Sequence, residues 1–367
     1  MKKIGILTYH PYDNYGAVLQ AYALQTYITK HLNGDVEIIN FCTDDQLLDN
    51  EIFQLKRKNN IRSLLFTLKE KLPIFFELRR KKKKFELFRK EYLKLTKRFK
   101  DCHSLFNNLP PKDVYITGSD QVFNPYAKYT DVYYLGFDKK NAKKVAYAPS
   151  FGVSDLDEAV NDKLKGFIND FDYISCREEV GATYLSKLLG RGIPCVVDPV
   201  FLLSKDEWSR VIHMPNLNNS FNNGYVFVYR LAGGQALMEL AKKVSVNTGL
   251  PIICIARDKH YCQDCKMDIS AGPLELLGYI SGASYVVTDS FHGTALSLVF
   301  GVNVIPFIAL QKASSRITTI MDRLGLSQNI VYNVEKFHFN SLSFSDYRTQ
   351  MNGYILESVN YLKEALS

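Results

Sequence analysis

The stretch TDSFHGTALSLVFGV, residues 288 to 302, contains the most informative pattern in the sequence. An apolar run at residues 285–287 leads into it, and residues 294–300 continue with the apolar character of a buried helix. A strand that ends near Thr288 and a helix that begins near His292 place Asp289, Ser290 and His292 in the turn between them. In open α/β sheets, ligands bind at the carboxyl ends of the strands. The stretch therefore predicts a polar binding turn at the edge of a parallel sheet.

The same alternation of strand, turn and helix extends along the chain. Strands of a parallel sheet are buried on both faces, so they appear as continuous apolar runs. The predicted strands, each given with the polar cluster that ends it where there is one, lie at residues 4–9, 36–41, 113–120, 144–150, 172–179, 194–199, 224–234, 251–258, 283–290 and 303–308. The helices predicted between the later strands lie at residues 235–246, 273–281, 292–300 and 315–324. This order predicts an α/β protein with parallel sheets.

The length of 367 residues exceeds the usual size of one hydrophobic core. We predict two doubly wound, Rossmann-like domains in series. The first covers residues 1–190 and contains a helical basic insertion at about residues 50–105. The second covers residues 191–340, and residues 341–367 form a long C-terminal helix.

The basic charge is concentrated in one segment. The formal net charge is +8, while residues 79–100 contain twelve Lys or Arg and two Glu, an excess of ten, which leaves the rest near minus two. Phe85, Phe88, Tyr92 and Leu95 recur at helical spacing, which predicts an amphipathic helix with a solvated basic face. The alternative is contact with an anionic membrane surface or a lipid-linked phosphate. Nucleic acid is the least favoured partner, because no recognition motif accompanies the charge.

Several classes of protein are disfavoured by the sequence. It contains no uninterrupted apolar span of about 20 residues, and its N-terminal apolar run is too short for a signal peptide, so we predict a cytoplasmic protein. Its seven cysteines are an odd number scattered through a large chain, which is not a disulfide framework. The CxxC pair of Cys262 and Cys265 lacks the second pair of a structural zinc site. No metal or cofactor is predicted.

Candidate anion-binding residues cluster around the opening stretch. Backbone N–H groups at the start of a helix attract phosphate or carboxylate. His292 would donate to the anion or act as an acid, Ser290 would cap the helix or touch the ligand, and Gly293 would permit close approach. Arg177, together with Lys312 or Arg316, would add charge suited to a small dianion. For each residue a purely structural role, as a cap, core histidine or surface ion pair, is the alternative.

A second set of polar residues follows strands of the first domain. Asn14, Tyr15 and Gly16 stand at a strand-to-helix turn. The sequence TGSDQVFNP, residues 117–125, supplies hydrogen-bonding groups suited to sugar hydroxyls: Ser119, Asp120, Gln121 and Asn124. Asp120 could act as a base toward a hydroxyl. The alternative is an Asx-type turn that ends a strand.

Six motifs in this order resemble the polysaccharide pyruvyl transferase family. They are NYGAVLQAYALQ, GSDQVFNP, AYAPSFG, SCREE, VVDPVFLL and TDSFHGTALSLVFGV, spread over roughly residues 4–326. The resemblance implies a GT-B-like arrangement of the two domains. It also implies phosphoenolpyruvate as the donor and, as acceptor, a sugar hydroxyl pair in a cell-surface glycan, such as capsule or exopolysaccharide, or in its lipid-linked precursor.

The resemblance also implies roles for individual residues. His292 and Gly293 match the histidine-glycine pair that approaches phosphoenolpyruvate from the C-terminal domain. Arg177 matches the arginine of the family's REE-like motif, and Lys312 or Arg316 matches a downstream basic residue. The family motif often has an arginine two positions before the histidine, where this chain has Ser290. One cation of the family pattern is therefore replaced by a hydroxyl.

Two other functions fit the same predicted fold. One is a glycosyltransferase that uses a nucleotide sugar, although no Walker loop or GxGxxG motif follows a strand. The other is a noncatalytic glycan-binding protein. Peripheral contact through residues 79–100 would place any of the three at the inner face of the membrane.

Overall fold

The computed structural model describes residues 1–50, 52, 67–69, 71–138, 141–153, 160–255, 265–309, 315–344 and 346–367. The chain forms two compact units. The first unit comprises residues 1–47, 89–203 and 348–367, and the second comprises residues 48–88 and 204–347. Both units are therefore built from separate segments of the chain.

The first unit contains a parallel sheet in which the described strands have the order β2-β1-β3-β4-β5. The strands are β1 Lys3–Leu7, β2 Asp35–Ile38, β3 Val114–Thr117, β4 Lys143–Ala146 and β5 Tyr173–Ile174. Every residue of β3 is buried, as expected for a strand covered on both faces. The strand order changes direction between β1 and β3, so the topological switch point of this sheet lies there.

The second unit contains another parallel sheet, with the order β10-β9-β6-β7-β8 among the described strands. These strands are β6 Val226–Tyr229, β7 Ile252–Ile255, β8 Lys266–Met267, β9 Tyr285–Thr288 and β10 Asn303–Pro306. Its core packs strand residues such as Val228 and Val287 against Leu237 and Leu240. The switch point of this sheet lies between β6 and β9.

The helices connect the strands in the alternating order that the sequence predicts. In chain order they are α1 Tyr15–His31, α2 Asp44–Asp49, α3 Phe75–Tyr92, α4 Cys102–Asn107, α5 Thr130–Tyr133, α6 Asn161–Ile168, α7 Glu179–Leu189, α8 Lys205–Ser209, α9 Gly234–Thr248, α10 Pro273–Ser281, α11 Phe291–Phe300, α12 Ser315–Arg323 and α13 Arg348–Leu366. None of the described helices combines the length and apolar character needed to cross a bilayer. The predicted fold of two Rossmann-like units is confirmed.

The division of the chain differs from the predicted one at residues 191–203, which belong to the first unit. Cys195 forms a parallel bridge with Cys176, and Asp198 pairs with Arg177. The predicted strand within residues 194–199 contributes only this isolated bridge, because Pro199 begins a 3₁₀ turn directly after Asp198. These contacts move the boundary to residue 203.

The basic insertion and the terminal helix are also divided differently. Residues 48–88 belong to the second unit, where Lys84 Nζ lies 2.7 Å from Glu275 Oε1. Phe85 and Phe88 are buried on α3 as predicted, whereas Leu95 lies beyond the helix and bridges Ile38. Helix α13 belongs to the first unit, because its buried stripe faces residues such as Val197, whose N–H donates to Ser358 Oγ at 2.9 Å.

Candidate functional site

The first unit gathers a charged cluster after strands β3 and β5, which we call the aspartate cluster: Ser119, Asp120, Arg177 and Asp198. Arg177 Nη1 donates to Asp198 Oδ2 at 2.5 Å and to Ser119 Oγ at 3.1 Å. Ser119 Oγ in turn donates to Asp198 Oδ2 at 2.7 Å. The side chains of Arg177 and Asp198 are 2% and 0% exposed. A buried cation and a buried carboxylate thus neutralise each other beside the switch point.

The charge of Arg177 is fixed by its surroundings. Burial by itself lowers the pKa of the guanidinium, but the charges of Asp198, Glu178 and Asp120 outweigh burial and raise that pKa above its usual value. Arg177 therefore stays cationic inside a set of carboxylates. The sequence predicts that this arginine clamps a ligand anion, and in the structure it contacts the carboxylates of Asp198 and Asp120.

Asp120 has an unusual backbone conformation, with φ 78° and ψ −173°. This region favours glycine and costs a side-chain-bearing residue on the order of 1–3 kcal/mol. The conformation is held because Ser150 N donates to the Asp120 carbonyl at 2.8 Å and Gln121 N donates to Asp120 Oδ1 at 2.9 Å. Oδ1 also lies 3.9 Å from Arg177 Nη2. Such strain concentrates at functional sites, so Asp120 is the first unit's candidate for chemistry.

Tyr9 is a neighbour of Asp120 that sequence analysis missed. It follows β1, and its hydroxyl donates to the carbonyl oxygen of Gln121 at 3.3 Å. Burial, followed by the charge of Asp120, raises the pKa of the Tyr9 hydroxyl well above its usual value. Tyr9 thus stays a neutral hydrogen-bonding group at the switch point. In the sequence, Tyr9 is the last residue of the predicted strand at residues 4–9, so no local pattern distinguishes it.

The remaining residues predicted for the first unit have local structural contacts. Asn14 caps α1, since its Oδ1 accepts from Gly16 N at 3.0 Å. Tyr15 and Gly16 are buried in the first turn of that helix. Asn124 Oδ1 accepts from the N–H of Tyr126 at 3.0 Å, which is the Asx turn named as the alternative. Asn14 and Asn124 are therefore used partly in shaping their own loops.

In the second unit, the turn after β9 has the predicted boundaries, and we call Asp289–Gly293 with its side chains the histidine turn. Ser290 caps α11, with Oγ accepting from Gly293 N at 3.2 Å. Thr288 Oγ1 accepts from Ser290 N at 3.0 Å and donates to the Tyr229 carbonyl at 2.7 Å. His292 lies in the first turn of α11 and is buried. The turn is therefore fixed to the ends of both strands at this switch point.

Gly293 is required by packing. A Cβ at this position would lie 2.6 Å from Thr288 Oγ1 and 3.0 Å from Tyr229 Cδ1. The first turn of α11 therefore lies directly against the ends of β9 and β6. The sequence predicts that Gly293 permits a close approach to the backbone. In the structure it permits a close approach of α11 to the strands, which keeps the N–H groups of α11 at the sheet edge.

Asp289 closes a backbone loop that sequence analysis did not single out. Its carboxylate accepts from the N–H groups of Leu231, Ala232 and Gly233 at 2.7, 2.6 and 2.6 Å. Successive N–H groups of this kind form an anion-binding concavity. Here the protein's own carboxylate fills it, which fixes the loop after β6. The only local indication was the GG sequence at residues 233–234 after a predicted strand.

Arg230 is a second residue that sequence analysis missed. It follows β6 directly and is 7% exposed. The carboxyl ends of neighbouring parallel strands meet at the same edge of a sheet, so Arg230 and the histidine turn share one switch point. This edge therefore contains a buried arginine, a buried histidine and the start of a helix, and such a set suits an anion.

The two other basic residues predicted near the anion have different outcomes. Arg316 is the second residue of α12 and is half-buried. Lys312 lies outside the described residues, as does Cys262 of the CxxC pair. Within the described ranges, no group of three His, Cys, Asp or Glu side chains is arranged to hold a metal ion.

Solved structures identify the class of fold. The chain is similar to the S. aureus MnaA–UDP co-structure, with a TM-score of 0.54 and 12% identity over 100% of this chain and 97% of that one. A UDP-N-acetylglucosamine 2-epimerase matches with a TM-score of 0.54 and 10% identity over 100% and 95% of the two chains. A putative UDP-N-acetylglucosamine 2-epimerase from Listeria monocytogenes matches with a TM-score of 0.51 and 8% identity over 99% and 90%. The chain therefore has a two-domain Rossmann-like fold of the GT-B type.

The family follows from the sequence match. A model described as polysaccharide pyruvyl transferase matches residues 14–309. The chain belongs to the polysaccharide pyruvyl transferase family. A comparison with curated proteins gives no match.

Proposed function

We propose that this chain transfers pyruvate from phosphoenolpyruvate to a pair of sugar hydroxyls, as a ketal, on a cell-surface polysaccharide or its lipid-linked precursor. The main support is the histidine turn, where His292 lies in the first turn of α11 at a switch point that also contains Arg230. Phosphoenolpyruvate has a carboxylate and a phosphate. A site for it needs cations and N–H donors, and this edge has a buried arginine, a buried histidine and the start of a helix.

The proposed reaction has two steps, in which atoms balance as follows. One acceptor hydroxyl oxygen bonds to C2 of phosphoenolpyruvate, its proton passes to a base, and a proton is added to the methylene carbon to give a methyl group. The second hydroxyl oxygen then bonds to C2, its proton passes to the departing phosphate oxygen, the bond from C2 to that oxygen breaks, and inorganic phosphate leaves. The product is a cyclic ketal, and no oxidant or reductant is consumed.

The residues are proposed in the following roles. His292 supplies the proton for the methylene or binds the phosphate, and Asp120 takes the proton of an acceptor hydroxyl. Arg230 replaces the cation that the family motif often has two positions before the histidine, where this chain has Ser290. Arg177 holds the aspartate cluster in place through Asp198. Gln121 and the exposed amide of Asn14 are proposed as acceptor contacts.

The test is an incubation of purified protein with phosphoenolpyruvate and candidate glycans, followed by phosphate release and by NMR detection of the ketal methyl group. We expect His292→Ala to lower kcat by about 10²–10⁴-fold, the usual contribution of a general acid. The matched control is His338→Ala, because His338 is an exposed histidine of the same unit, and it should keep parental turnover. Full turnover by His292→Ala would remove that residue from the mechanism.

A second candidate is transfer from a nucleotide sugar. The observation in its favour is the similarity in fold to a structure that contains UDP. A ligand that binds only the folded protein raises its melting temperature. Stabilisation by uridine or guanosine diphosphate sugars, with none by phosphoenolpyruvate, would replace our proposal with this one. Acceptor binding with no phosphate release by the parent protein would indicate a noncatalytic glycan-binding role.

A further inference from the structure

Helix α3 and the residues just before it present one exposed face, which we call the basic face. Its apolar members are Leu72, Phe76 and Leu87, which are 65%, 70% and 40% exposed. Its cationic members, all exposed, are Arg79, Arg80, Lys83 and Lys90. These positions are spaced by 3, 4 or 1 residues, so at 100° per residue they fall within one side of the helix. The basic face therefore combines three large apolar side chains with four cations.

The opposite side of α3 is anchored within the protein. Phe85 and Phe88 are 0% and 2% exposed. Lys84 pairs with Glu275 at 2.7 Å, and a Cβ at Gly272 would lie 2.5 Å from Lys84 Cβ, so the helix lies against the start of α10. These contacts fix which side of α3 points outward. The basic face is therefore the side of α3 that points away from α10.

The net charge of the basic face is positive. Its four cations are accompanied by two exposed carboxylates, Glu86 and Glu91, which lie at its margins, about 60–80° around the helix from Phe76. A surface of this kind repels a second copy of itself. Nucleic acid would match the cations but would leave the aliphatic side chains of Leu72 and Leu87 without an apolar partner. An anionic bilayer satisfies both, with phosphate groups for the cations and acyl chains for the apolar side chains.

We infer that the basic face docks this protein on the surface of an anionic lipid bilayer. Phe76 and Leu72 enter the boundary between headgroups and acyl chains, while Arg79, Arg80 and Lys83 contact lipid phosphates. The helix lies in the plane of the surface. This docking is independent of the proposed transfer reaction, since it needs neither donor nor acceptor.

The experiment measures co-sedimentation with vesicles of phosphatidylcholine alone and of phosphatidylcholine mixed with phosphatidylglycerol. We expect binding only to the mixed vesicles, weakened by added salt. Arg79→Gln/Arg80→Gln should lower the partition coefficient about 25-fold, since each basic residue near an anionic surface contributes roughly fivefold. The separate variant Phe76→Ser, which leaves the charge unchanged, should also lower the partition coefficient below that of the parent protein. In Phe76→Trp, emission should shift to the blue on mixed vesicles, while Trp208 is already fully buried.

The matched control is Lys205→Gln/Lys242→Gln, which removes the same charge from exposed positions on α8 and α9. It should bind vesicles like the parent, and circular dichroism should show every variant folded. The inference is overturned if the parent does not bind mixed vesicles. It also fails if the control loses as much binding as Arg79→Gln/Arg80→Gln, or if the parent binds single-stranded RNA more tightly than mixed vesicles.

Discussion

The ion pair between Arg177 and Asp198 should be the most sensitive point of the first unit. Asp198→Ala removes the carboxylate 2.5 Å from Arg177 Nη1, where the two side chains are 2% and 0% exposed. Removing one partner of a buried pair commonly costs about 3–5 kcal/mol, because a charge is left uncompensated. Asp120 remains 3.9 Å from Arg177 Nη2, so we expect the lower end, about 3 kcal/mol.

Urea unfolding measures this cost. The free energy of unfolding falls with urea concentration at about 3 kcal/mol per M in a protein of this size, so a destabilisation of about 3 kcal/mol lowers the unfolding midpoint by about 1 M. Far-UV circular dichroism follows both units, while the chain's single tryptophan, Trp208, belongs to the second. We therefore expect the urea midpoint of the first unit, followed by circular dichroism, to fall by about 1 M. The midpoint followed by Trp208 fluorescence should change less.

Two comparisons distinguish a charge effect from a packing effect. Arg177→Met/Asp198→Leu removes both charges and keeps similar volume, so it should recover most of the lost stability. Asp206→Ala, at an exposed carboxylate of α8, should leave the midpoint unchanged. The reasoning is refuted if Asp198→Ala unfolds at the parental midpoint, or if the double replacement is as unstable as the single one.

Three further predictions concern single positions. Gly293→Ala should lower the free energy of unfolding by about 1–3 kcal/mol, because its Cβ would lie 2.6 Å from Thr288 Oγ1. The control is Gly353→Ala on α13, where a Cβ would have no atom within 4 Å, and this variant should raise the melting temperature. Equal changes in melting temperature for the two variants would contradict this. Asp289→Ala should lower the free energy of unfolding by about 1–2 kcal/mol, because three backbone N–H groups lose their carboxylate acceptor and water replaces it for the exposed ones. Thermal unfolding measures this, and an unchanged melting temperature would count against the prediction. Burial lowers the pKa of His10 below its usual 6.5, so below about pH 6.5 the unfolded chain binds a proton that the folded chain does not. Stability should then fall with decreasing pH by at most about 1.4 kcal/mol per unit, and His10→Gln, measured from pH 7.5 to 5.5, should have the shallower slope.

The sheets could be predicted because most strands are continuous apolar runs. Val114–Thr117 and Val226–Tyr229 are buried at every position, and burial on both faces leaves that pattern in the sequence. Strand β8, Lys266–Met267, was missed because it has two half-buried residues and no apolar run. Residues 194–197 are also mostly apolar, but they do not form a regular strand. They contribute a single bridge, between Cys195 and Cys176.

The candidate site was predicted where its residues are close together in sequence. The turn from Thr288 to Gly293 shows its cap and its histidine within six residues. The partners of Asp289 are 56–58 residues away, and Asp198 is 21 residues from Arg177. No local pattern encodes which carboxylate a distant arginine or loop will meet. Those partners depend on how the strands are ordered in the sheet.

The segmental origin of the first unit has a consequence for protein synthesis. Its sheet is made from residues 3–174, but Ser358 of α13 accepts the N–H of Val197, and Cys195 Sγ lies 3.3 Å from the Tyr354 hydroxyl. Leu362 and Ala365 are fully buried on the same helix. On the ribosome, the first unit therefore has an incomplete core until residues 348–367 emerge, after the whole second unit has been translated. A nascent chain stalled before residue 348 lacks the buried side chains that α13 contributes to the first unit, such as Leu362 and Ala365.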